Sequence, residues 1–309
     1  PYTTLFRSVD IELHIGTAIR HGALVLHYQP EVDLRDGRIL GVEALVRWPN
    51  PTLGLLQPGA FIDVVEATNL AGELGRWVLG QACRQLREWQ LHYPERRLGM
   101  SVNVSPAQLI TLDFVATVAK TLADHELDGQ WLTLEITEQA LVRDTDQALA
   151  TLRGLQRIGV KIAIDDFGTG YSSFAQLKSL PADVLKIDRG FVRDLGTDFD
   201  DLAIVQSIIG LARSLGLDLV AEGVETEIAA STLVDLGCTR AQGFLFAGPR
   251  PPAEIEQMIQ TGVCPPMVDL DRGDTVETAA LRVLRPAAGF DGPAAPTTAG
   301  MPSARARIA

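Results

Sequence analysis

The sequence KIAIDDFGTGYSS, residues 161–173, places two adjacent acids and two glycines directly after a short apolar run. Such a run followed by glycines predicts a buried strand that ends in a tight loop. Asp165 and Asp166 would then lie side by side, where two carboxylates repel each other unless a divalent cation, a lysine or a raised pKa offsets their charge. Asp and Gly are also common in solvated turns. Only the pattern in the rest of the chain can therefore distinguish a buried strand that presents two acids from an ordinary turn.

Apolar runs of strand length recur along the chain, with helical spacing between most of them. Strands are predicted at 24–34, 39–48, 98–104, 131–137, from 161, and at 184–188, 217–222 and 242–246, and helices at 9–21, 58–90, 114–125, 146–158, 200–215, 226–236 and 252–259. The break between the first two strands, residues 35–38, is too short for a crossover helix, so these strands are predicted to be antiparallel. The fold class is therefore predicted to be α/β, a (β/α)8 TIM-like barrel with one antiparallel strand.

Composition excludes several classes of protein. The 309 residues are 46% hydrophobic, enough to fill a barrel of about 250 residues. The net charge of −12 argues against binding to long nucleic acid or to an anionic membrane. The widely spaced Cys83, Cys238 and Cys264 form no C-x-x-C pair, which argues against a disulfide framework or a zinc ribbon and favours the reducing cytoplasm. No apolar run approaches the roughly 18 residues of a membrane span, so no membrane contact is expected from this segment.

The two ends of the chain differ from the region between them. Residues 1–8, PYTTLFRS, read like the translation of a common sequencing-adapter oligonucleotide, so we expect them to be foreign to the fold and natural sequence to be missing upstream of Val9. Residues 9–262 carry the periodic pattern and are predicted to form the folded domain. Residues 263–309 are rich in Pro, Ala, Gly and Thr and are predicted to be a disordered tail, apart from a short helix near 278–284.

Polar residues stand late in the apolar runs of six predicted strands: Glu43, Asn103, Glu135, Asp165, Lys186 and Glu222. Because barrel active sites form where the carboxyl ends of the strands meet, we expect these side chains to converge. Oxygen ligands without any H-E-x-x-H or similar histidine spacing favour magnesium or manganese over zinc. Each residue alone is as well explained as a polar strand cap, but six in the same position argue for a metal site.

Eight short motifs accompany this set: Tyr28-Gln29-Pro30, EALVRW (43–48), SVNVS (101–105), EITE (135–138), DDFGTG (165–170), KID (186–188), AEGVE (221–225) and QGFLF (242–246). Any one of them is unspecific. In this order, over residues 13–259, they make the chain resemble an EAL-type cyclic-di-GMP phosphodiesterase.

That resemblance implies a chemistry and a set of residue roles. EAL-type enzymes hydrolyse one phosphodiester of cyclic di-GMP to linear pGpG, with two Mg²⁺ or Mn²⁺ ions that activate a shared water. By position, Glu43, Asn103, Glu135 and Asp165 resemble the ligands of the first ion, and Asp165 and Asp166 those of the second. Lys186, Glu222 and Glu43 resemble the catalytic residues, with Lys186 orienting the water; a salt bridge from Lys186 to Asp188 is the structural alternative. Gln29 and Arg47 resemble the substrate contacts, and Glu138, Gly168, Thr169, Gly170 and Gln242 the residues that support the loop 166–173.

The chain departs from the family pattern at Glu31, Asn50, Phe244 and Gly248, and none of these positions is a proposed metal ligand. The departures are therefore expected to change the affinity for the ligand or the level of activity more than the catalytic chemistry itself. The main alternative is a catalytically weak EAL-type receptor or interaction module that binds cyclic di-GMP. A different metal-dependent barrel enzyme would share the acids and the lysine but not Gln29, Arg47 and the loop motif. The resemblance further implies a homodimer and an upstream GGDEF or sensor domain.

Overall fold

The computed structural model describes residues 2–141, 145–168, 177, 179–262 and 264. The strands are β1 (Val25–Asp33), β2 (Ile39–Asn50), β3 (Gly54–Leu56), β4 (Gly99–Asn103), β5 (Leu132–Thr137), β6 (Lys161–Phe167), β7 (Val184–Ile187), β8 (Asp218–Ala221) and β9 (Arg240–Ala241). They follow the order β1-β9-β8-β7-β6-β5-β4-β2-β3, and pairing of β1 with β2 closes eight of them into a barrel. The short β3 extends β2 as a hairpin outside the closed ring.

Strand β1 runs against both of its neighbours, β2 and β9, while the remaining barrel strands pair in parallel. The reversal follows from the connection between β1 and β2, where the Gly37 N–H donates to the Asp33 carbonyl oxygen at 2.8 Å. Gly37 has a φ of 69°, a left-handed conformation that glycine adopts without a steric penalty. The predicted barrel with one antiparallel strand is confirmed.

The helices are α1 (Tyr2–Arg20), α2 (Ile62–Ala67), α3 (Ala71–His92), α4 (Pro106–Leu109), α5 (Phe114–Asp124), α6 (Thr145–Arg157), α7 (Arg189–Val192), α8 (Phe199–Leu215), α9 (Glu227–Leu236) and α10 (Pro252–Thr261). Side-chain caps determine where several of them begin. The Asp198 carboxylate accepts hydrogen bonds from the N–H groups of Asp200 and Asp201 at the start of α8, and the Thr226 hydroxyl accepts one from Ala229 N–H in α9. Their apolar faces pack on the barrel and bury residues such as Val205 and Leu233.

Two predicted elements differ in the structure. The helix expected at 58–90 is divided into a 3₁₀ turn, α2 and α3, and Asn69 adopts a left-handed φ of 57° between the two α-helices. The last strand is Arg240–Ala241, and the predicted strand 242–246 is a turn. There the Leu245 N–H donates to the Val224 carbonyl oxygen at 3.0 Å and the Phe246 N–H to that of Gly243 at 3.1 Å. Those bonds replace the ladder that a strand would need.

Several features lie at or beyond the ends of the barrel. Helix α1 begins at Tyr2, and residue 263, residues 265–309 and with them the predicted helix 278–284 lie outside the described residues. Cys264 is fully buried, and its N–H donates to the Gly37 carbonyl oxygen at 2.9 Å. All three cysteines are buried and free. In the described part of the chain, no helix combines the length and the apolar character required to cross a bilayer.

Candidate active site

The register of the parallel strands brings the predicted polar residues to one end of the barrel. Asn103 is paired with Glu135, and Thr137 with Asp165, at the carboxyl ends of their strands. Glu222 directly follows β8, and its N–H donates to the Ile187 carbonyl oxygen of β7 at 3.0 Å. Residues far apart in the sequence therefore share one polar site above the apolar core.

Lys186 lies at the centre of this site and is only 2% exposed. Its Nζ is 2.7 Å from Glu135 Oε2, 3.5 Å from Asp165 Oδ1 and 3.7 Å from Glu43 Oε2. It also contacts Glu222 Oε1 directly. Four carboxylates from four strands or strand ends thus surround one ammonium group. The ion pairs of Lys186 among the described residues do not include Asp188, so the alternative of a simple Lys186–Asp188 salt bridge is wrong.

Amide side chains hold the carboxylate of Glu43 in place. Asn103 Nδ2 donates to Glu43 Oε1 at 2.7 Å, and Gln242 Nε2 donates to Glu43 Oε2 at 2.8 Å. Gln242 Nε2 is also 3.2 Å from Glu222 Oε1. Gln242, expected to support the loop, therefore bridges two acids of the site and restricts their orientation.

Burial of so much charge shifts the pKa values of the site. Burial raises the pKa of Glu135 well above its ordinary value, against the opposing effect of Lys186. Burial also raises the pKa of Glu222 to about 8, again against Lys186. For Lys186, burial lowers the pKa, but the surrounding carboxylates outweigh that effect and keep the pKa well above its ordinary value. Lys186 therefore stays protonated, and its single positive charge does not balance the negative charges of the four carboxylates around it.

Asp166 approaches the site from the loop that follows β6. It adopts a φ of 53°, which is strained for a residue with a side chain and is typical of functional sites. Its N–H donates to Asp165 Oδ1 at 3.0 Å. Burial, the charges of Asp165 and Asp188 and a hydrogen bond with Asp188 raise the pKa of Asp166.

The donor set fits a hard divalent cation. Asp165, Asp166 and Glu222 each offer one carboxylate oxygen, and these oxygens all lie within 4.8 Å of one another. With Glu43 and Glu135 the site holds five carboxylates, and four of them, all but Asp166, form ion pairs with Lys186. Oxygen ligands at this density suit magnesium or manganese, whose charge would relieve the repulsion.

The family of the chain follows from comparison with known proteins. A sequence model of the EAL domain matches residues 14–249. The chain belongs to the EAL domain family. Its EAL motif is Glu43-Ala44-Leu45, on β2, so the glutamate of the motif is the acid that Asn103 and Gln242 orient.

Relatives of this EAL domain include proteins with named activities. An uncharacterised protein of Mycobacterium tuberculosis (strain H37Rv) is 54% identical over 83% of this chain and 41% of its own length. The bifunctional diguanylate cyclase/cyclic di-GMP phosphodiesterase MucR of Pseudomonas aeruginosa is 47% identical over 77% of this chain and 35% of its own length. A solved structure of the PaMucR phosphodiesterase in complex with c-di-GMP is 46% identical, covers 80% of this chain and 99% of its own, and has a TM-score of 0.76. The EAL domain therefore spans less than half the length of these two curated relatives.

The two predicted substrate contacts of the EAL domain lie on β1 and β2. Gln29 is paired with Glu43 in the register of these strands, and its Nε2 donates to the Ala247 carbonyl oxygen at 3.1 Å. Arg47 is four residues beyond Glu43 on β2 and is buried, and its Nη1 donates to the Val46 carbonyl oxygen at 2.9 Å. Their strands therefore position both residues beside the acids.

The loop after β6 is described only at its beginning. Glu138 is buried, and its Oε2 accepts a long hydrogen bond of 3.4 Å from the Gly168 N–H. Gly168 has a φ of 100°, and a Cβ on it would lie 2.9 Å from the ring of Phe191, so this position requires glycine. Thr169 and Gly170, the other predicted loop residues, lie outside the described residues.

One residue of the site, Asp188, was not predicted as such from the sequence. Asp188 both raises the pKa of Asp166 and caps α7, because its Oδ1 accepts from the Gly190 N–H at 2.8 Å. Its place two residues after Lys186, at the end of the same strand, was the available signal.

Proposed function

We propose that this EAL domain is a metal-dependent phosphodiesterase that hydrolyses cyclic di-GMP to linear pGpG. The observation that carries the proposal is the position of Lys186 among Glu43, Glu135, Asp165 and Glu222. An EAL-type receptor has no need of so many buried and half-buried acids, which destabilise the fold unless cations offset them. The activities named for MucR and the c-di-GMP bound to its solved structure support the same substrate.

The reaction is the attack of a water oxygen on one phosphorus of the cyclic dinucleotide. The bond from phosphorus to the 3′ oxygen breaks, the 3′ oxygen takes up a proton, and the phosphate remains on the 5′ side. Two Mg²⁺ or Mn²⁺ ions would lower the pKa of the water and stabilise charge on the phosphate oxygens. Glu43, Asn103, Glu135 and Asp165 are proposed to hold one ion, and Asp165 and Asp166 the other.

The chain's own residues orient the water and accept its proton. Lys186 stays protonated, so it donates hydrogen bonds to the water and to the acids and does not act as a base. Glu222, which contacts Lys186 and Gln242 beside the other acids, is the group proposed to accept the proton of the attacking water. Gln242 keeps Glu222 and Glu43 apart and oriented through its two hydrogen bonds.

Arg47 and Gln29 are proposed to bind the nucleotide. The guanidinium of Arg47 offers donors to a phosphate oxygen, and burial strengthens such a charge-assisted bond. Gln29 lies directly opposite Glu43 in the register, so a phosphate at the acids would lie within reach of its amide.

The proposal is tested by incubating the purified chain with cyclic di-GMP and either MgCl₂ or MnCl₂, with chromatographic detection of pGpG. We expect turnover that EDTA abolishes and that Glu135→Gln reduces by a factor of about 10² or more, since it removes a carboxylate from the site. Glu227→Gln, which removes an exposed carboxylate of α9, is the matched control and should retain full activity. Binding of cyclic di-GMP without turnover in either metal would instead establish the receptor.

A cytoplasmic location, a homodimer and an additional GGDEF or sensor domain remain predictions. The division into residues 1–8, 9–262 and 263–309 is likewise a proposal, and the match over 14–249 lies within its central part. Size-exclusion chromatography with light scattering would measure the oligomeric state directly.

A further inference from the structure

The barrel closes where the antiparallel strand β1 pairs with the short β9, a seam that ends at the polar site. Within the part of the chain that the structure describes, this ladder consists of two pairs, Val32 with Ala241 and Asp33 with Arg240. It stops there because Pro30, whose nitrogen would make the next bond of the ladder, carries no hydrogen. The first residue of the chain beyond the ladder is Gln242, whose amide bonds Glu43 and Glu222.

Arg240 connects the strands on both sides of the seam. Its Nε donates to Glu31 Oε1 of β1 at 2.6 Å, and its Nη1 donates to Asp218 Oδ2 of β8 at 3.1 Å. The side chain of Glu31 is only 12% exposed, whereas that of Asp218 is 61% exposed. Burial lowers the pKa of Arg240, but the charges of Glu31 and Asp218 outweigh that effect and raise it, so the guanidinium stays charged. The largely buried carboxylate of Glu31 therefore takes its counter-charge from Arg240.

Glu31 lies on the same face of the sheet as the acids of the site. It is two residues from Gln29 on β1, and side chains two residues apart on a strand point to the same face. Gln29 is paired directly with Glu43, the acid of β2. Glu31 is therefore an additional carboxylate on the side of the sheet that carries Glu43.

The register of the seam also brings Glu31 close to Gln242. Val32 is paired with Ala241, so the same register carried one residue further sets Glu31 opposite Gln242. The Cβ atoms of opposite residues in an antiparallel pair are roughly 4.5–5.5 Å apart, a distance that a carboxylate and an amide side chain span. Without its ion pair, the Glu31 carboxylate would seek another donor, and it would compete with Glu43 for the Gln242 amide.

We infer that Arg240 is a positioning residue of the site, which acts by keeping the Glu31 carboxylate away from the Gln242 amide. That amide is then free to hold Glu43 and Glu222 in the observed orientation. The inference rests on the proposed function, in which Glu43 holds a metal ion, and adds a residue outside the site that controls how tightly the ion is bound. Loss of a hydrogen bond to a metal-ligating side chain typically weakens metal binding by a factor of about 10–100. The affinity for metal is therefore the quantity that should respond.

The decisive comparison is between Arg240→Met and the double variant Glu31→Ile/Arg240→Met. We expect Arg240→Met to raise the Kd for Mn²⁺, measured by titration calorimetry on the full chain, by a factor of about 10. The double variant also removes the competing carboxylate, so its Kd should return to the wild-type value. Arg240→Lys, which keeps a cation beside Glu31, should retain most of the affinity. Asp218→Asn is the matched control, because it removes the other partner of Arg240 and leaves the pair with Glu31 intact, and it should not change the Kd.

Enzyme kinetics and thermal melting separate positioning from stability alone. We expect Arg240→Met to need more Mn²⁺ for half-maximal turnover, while the KM for cyclic di-GMP at saturating Mn²⁺ stays unchanged. A lower Tm for Arg240→Met with a wild-type Kd for Mn²⁺ would overturn the inference, because the ion pair would then only stabilise the seam. A double variant that binds Mn²⁺ as weakly as Arg240→Met would overturn it as well. If the wild type binds Mn²⁺ without hydrolysing cyclic di-GMP, the proposed function fails, but recovery of the Mn²⁺ affinity in the double variant still supports the inference.

Discussion

Replacement of Lys186 by methionine tests the electrostatic organisation of the site. The substitution retains the aliphatic stem but leaves Glu43, Glu135, Asp165 and Glu222 without their common counter-charge. At an effective dielectric constant near 20, each pair at about 4 Å contributes about 4 kcal/mol of attraction. Most of that sum is offset by the desolvation of the ammonium group and by protonation of the carboxyls once it is gone. Removal of one partner from a buried ion pair therefore costs a net of about 3–5 kcal/mol.

In a domain of this size, about 1 kcal/mol shifts Tm by roughly 2–4 °C. We therefore expect Lys186→Met to lower Tm by about 6–20 °C in EDTA, as measured by circular dichroism. Saturating Mg²⁺ should recover part of the difference, because a bound cation replaces the lost charge. Lys120→Met is the matched control, since Lys120 is exposed and pairs with Asp124 only at the surface, and it should change stability by less than about 1 kcal/mol. A Tm for Lys186→Met within 2 °C of the wild type in EDTA would refute the reasoning.

Three further predictions concern the loop, the end of the chain and pH. Glu138→Ala should lower kcat and raise the Mg²⁺ concentration required, with little change in Tm, because Glu138 accepts from the Gly168 N–H beside Asp166; normal kinetics at limiting Mg²⁺ would contradict this role. A chain ending at residue 265 should melt within about 2 °C of the full chain, whereas one ending at Gly262 should lose about 1–2 kcal/mol of stability, because it lacks the buried Cys264 and its bond to Gly37; equal melting curves would show that Cys264 contributes nothing. Burial raises the pKa of the Cys83 and Cys238 thiols from 9.0 to about 12. The unfolded chain therefore releases these protons first, so stability should fall as pH rises above 9, by up to about 1.4 kcal/mol per pH unit for each thiol. Urea unfolding at pH 8, 9 and 10 measures that slope, which the double variant Cys83→Ala/Cys238→Ala should flatten; an unaltered slope would exclude the thiols as its cause.

Much of the barrel is determined by short-range pattern. The alternation of apolar and polar residues in 131–137 and the apolar run from 161 are sufficient to predict β5 and β6. The four residues between β1 and β2 cannot contain a helix, so the reversal of β1 follows from chain length alone.

Where prediction failed, a contact between distant segments outweighed a local preference. Residues 242–246 have the composition of a strand, but Gly243 packs so closely on the backbone of Val224 that a Cβ would lie 2.1 Å from the Val224 carbonyl oxygen. That approach turns the chain after only two residues of β9. The break between α2 and α3 likewise depends on the left-handed conformation of Asn69, which no hydrophobic periodicity indicates.

For the site, the sequence alone determined which side chains stand at the ends of the strands, because strand position and strand direction are local properties of the chain. It did not determine what those side chains contact. Lys186 is bonded to Glu135, 51 residues away, and Gln242 to Glu43, 199 residues away. Only closure of the barrel brings such groups within 3 Å and excludes water from between them. The raised pKa of Glu222 arises from that burial, so only the tertiary structure decided it.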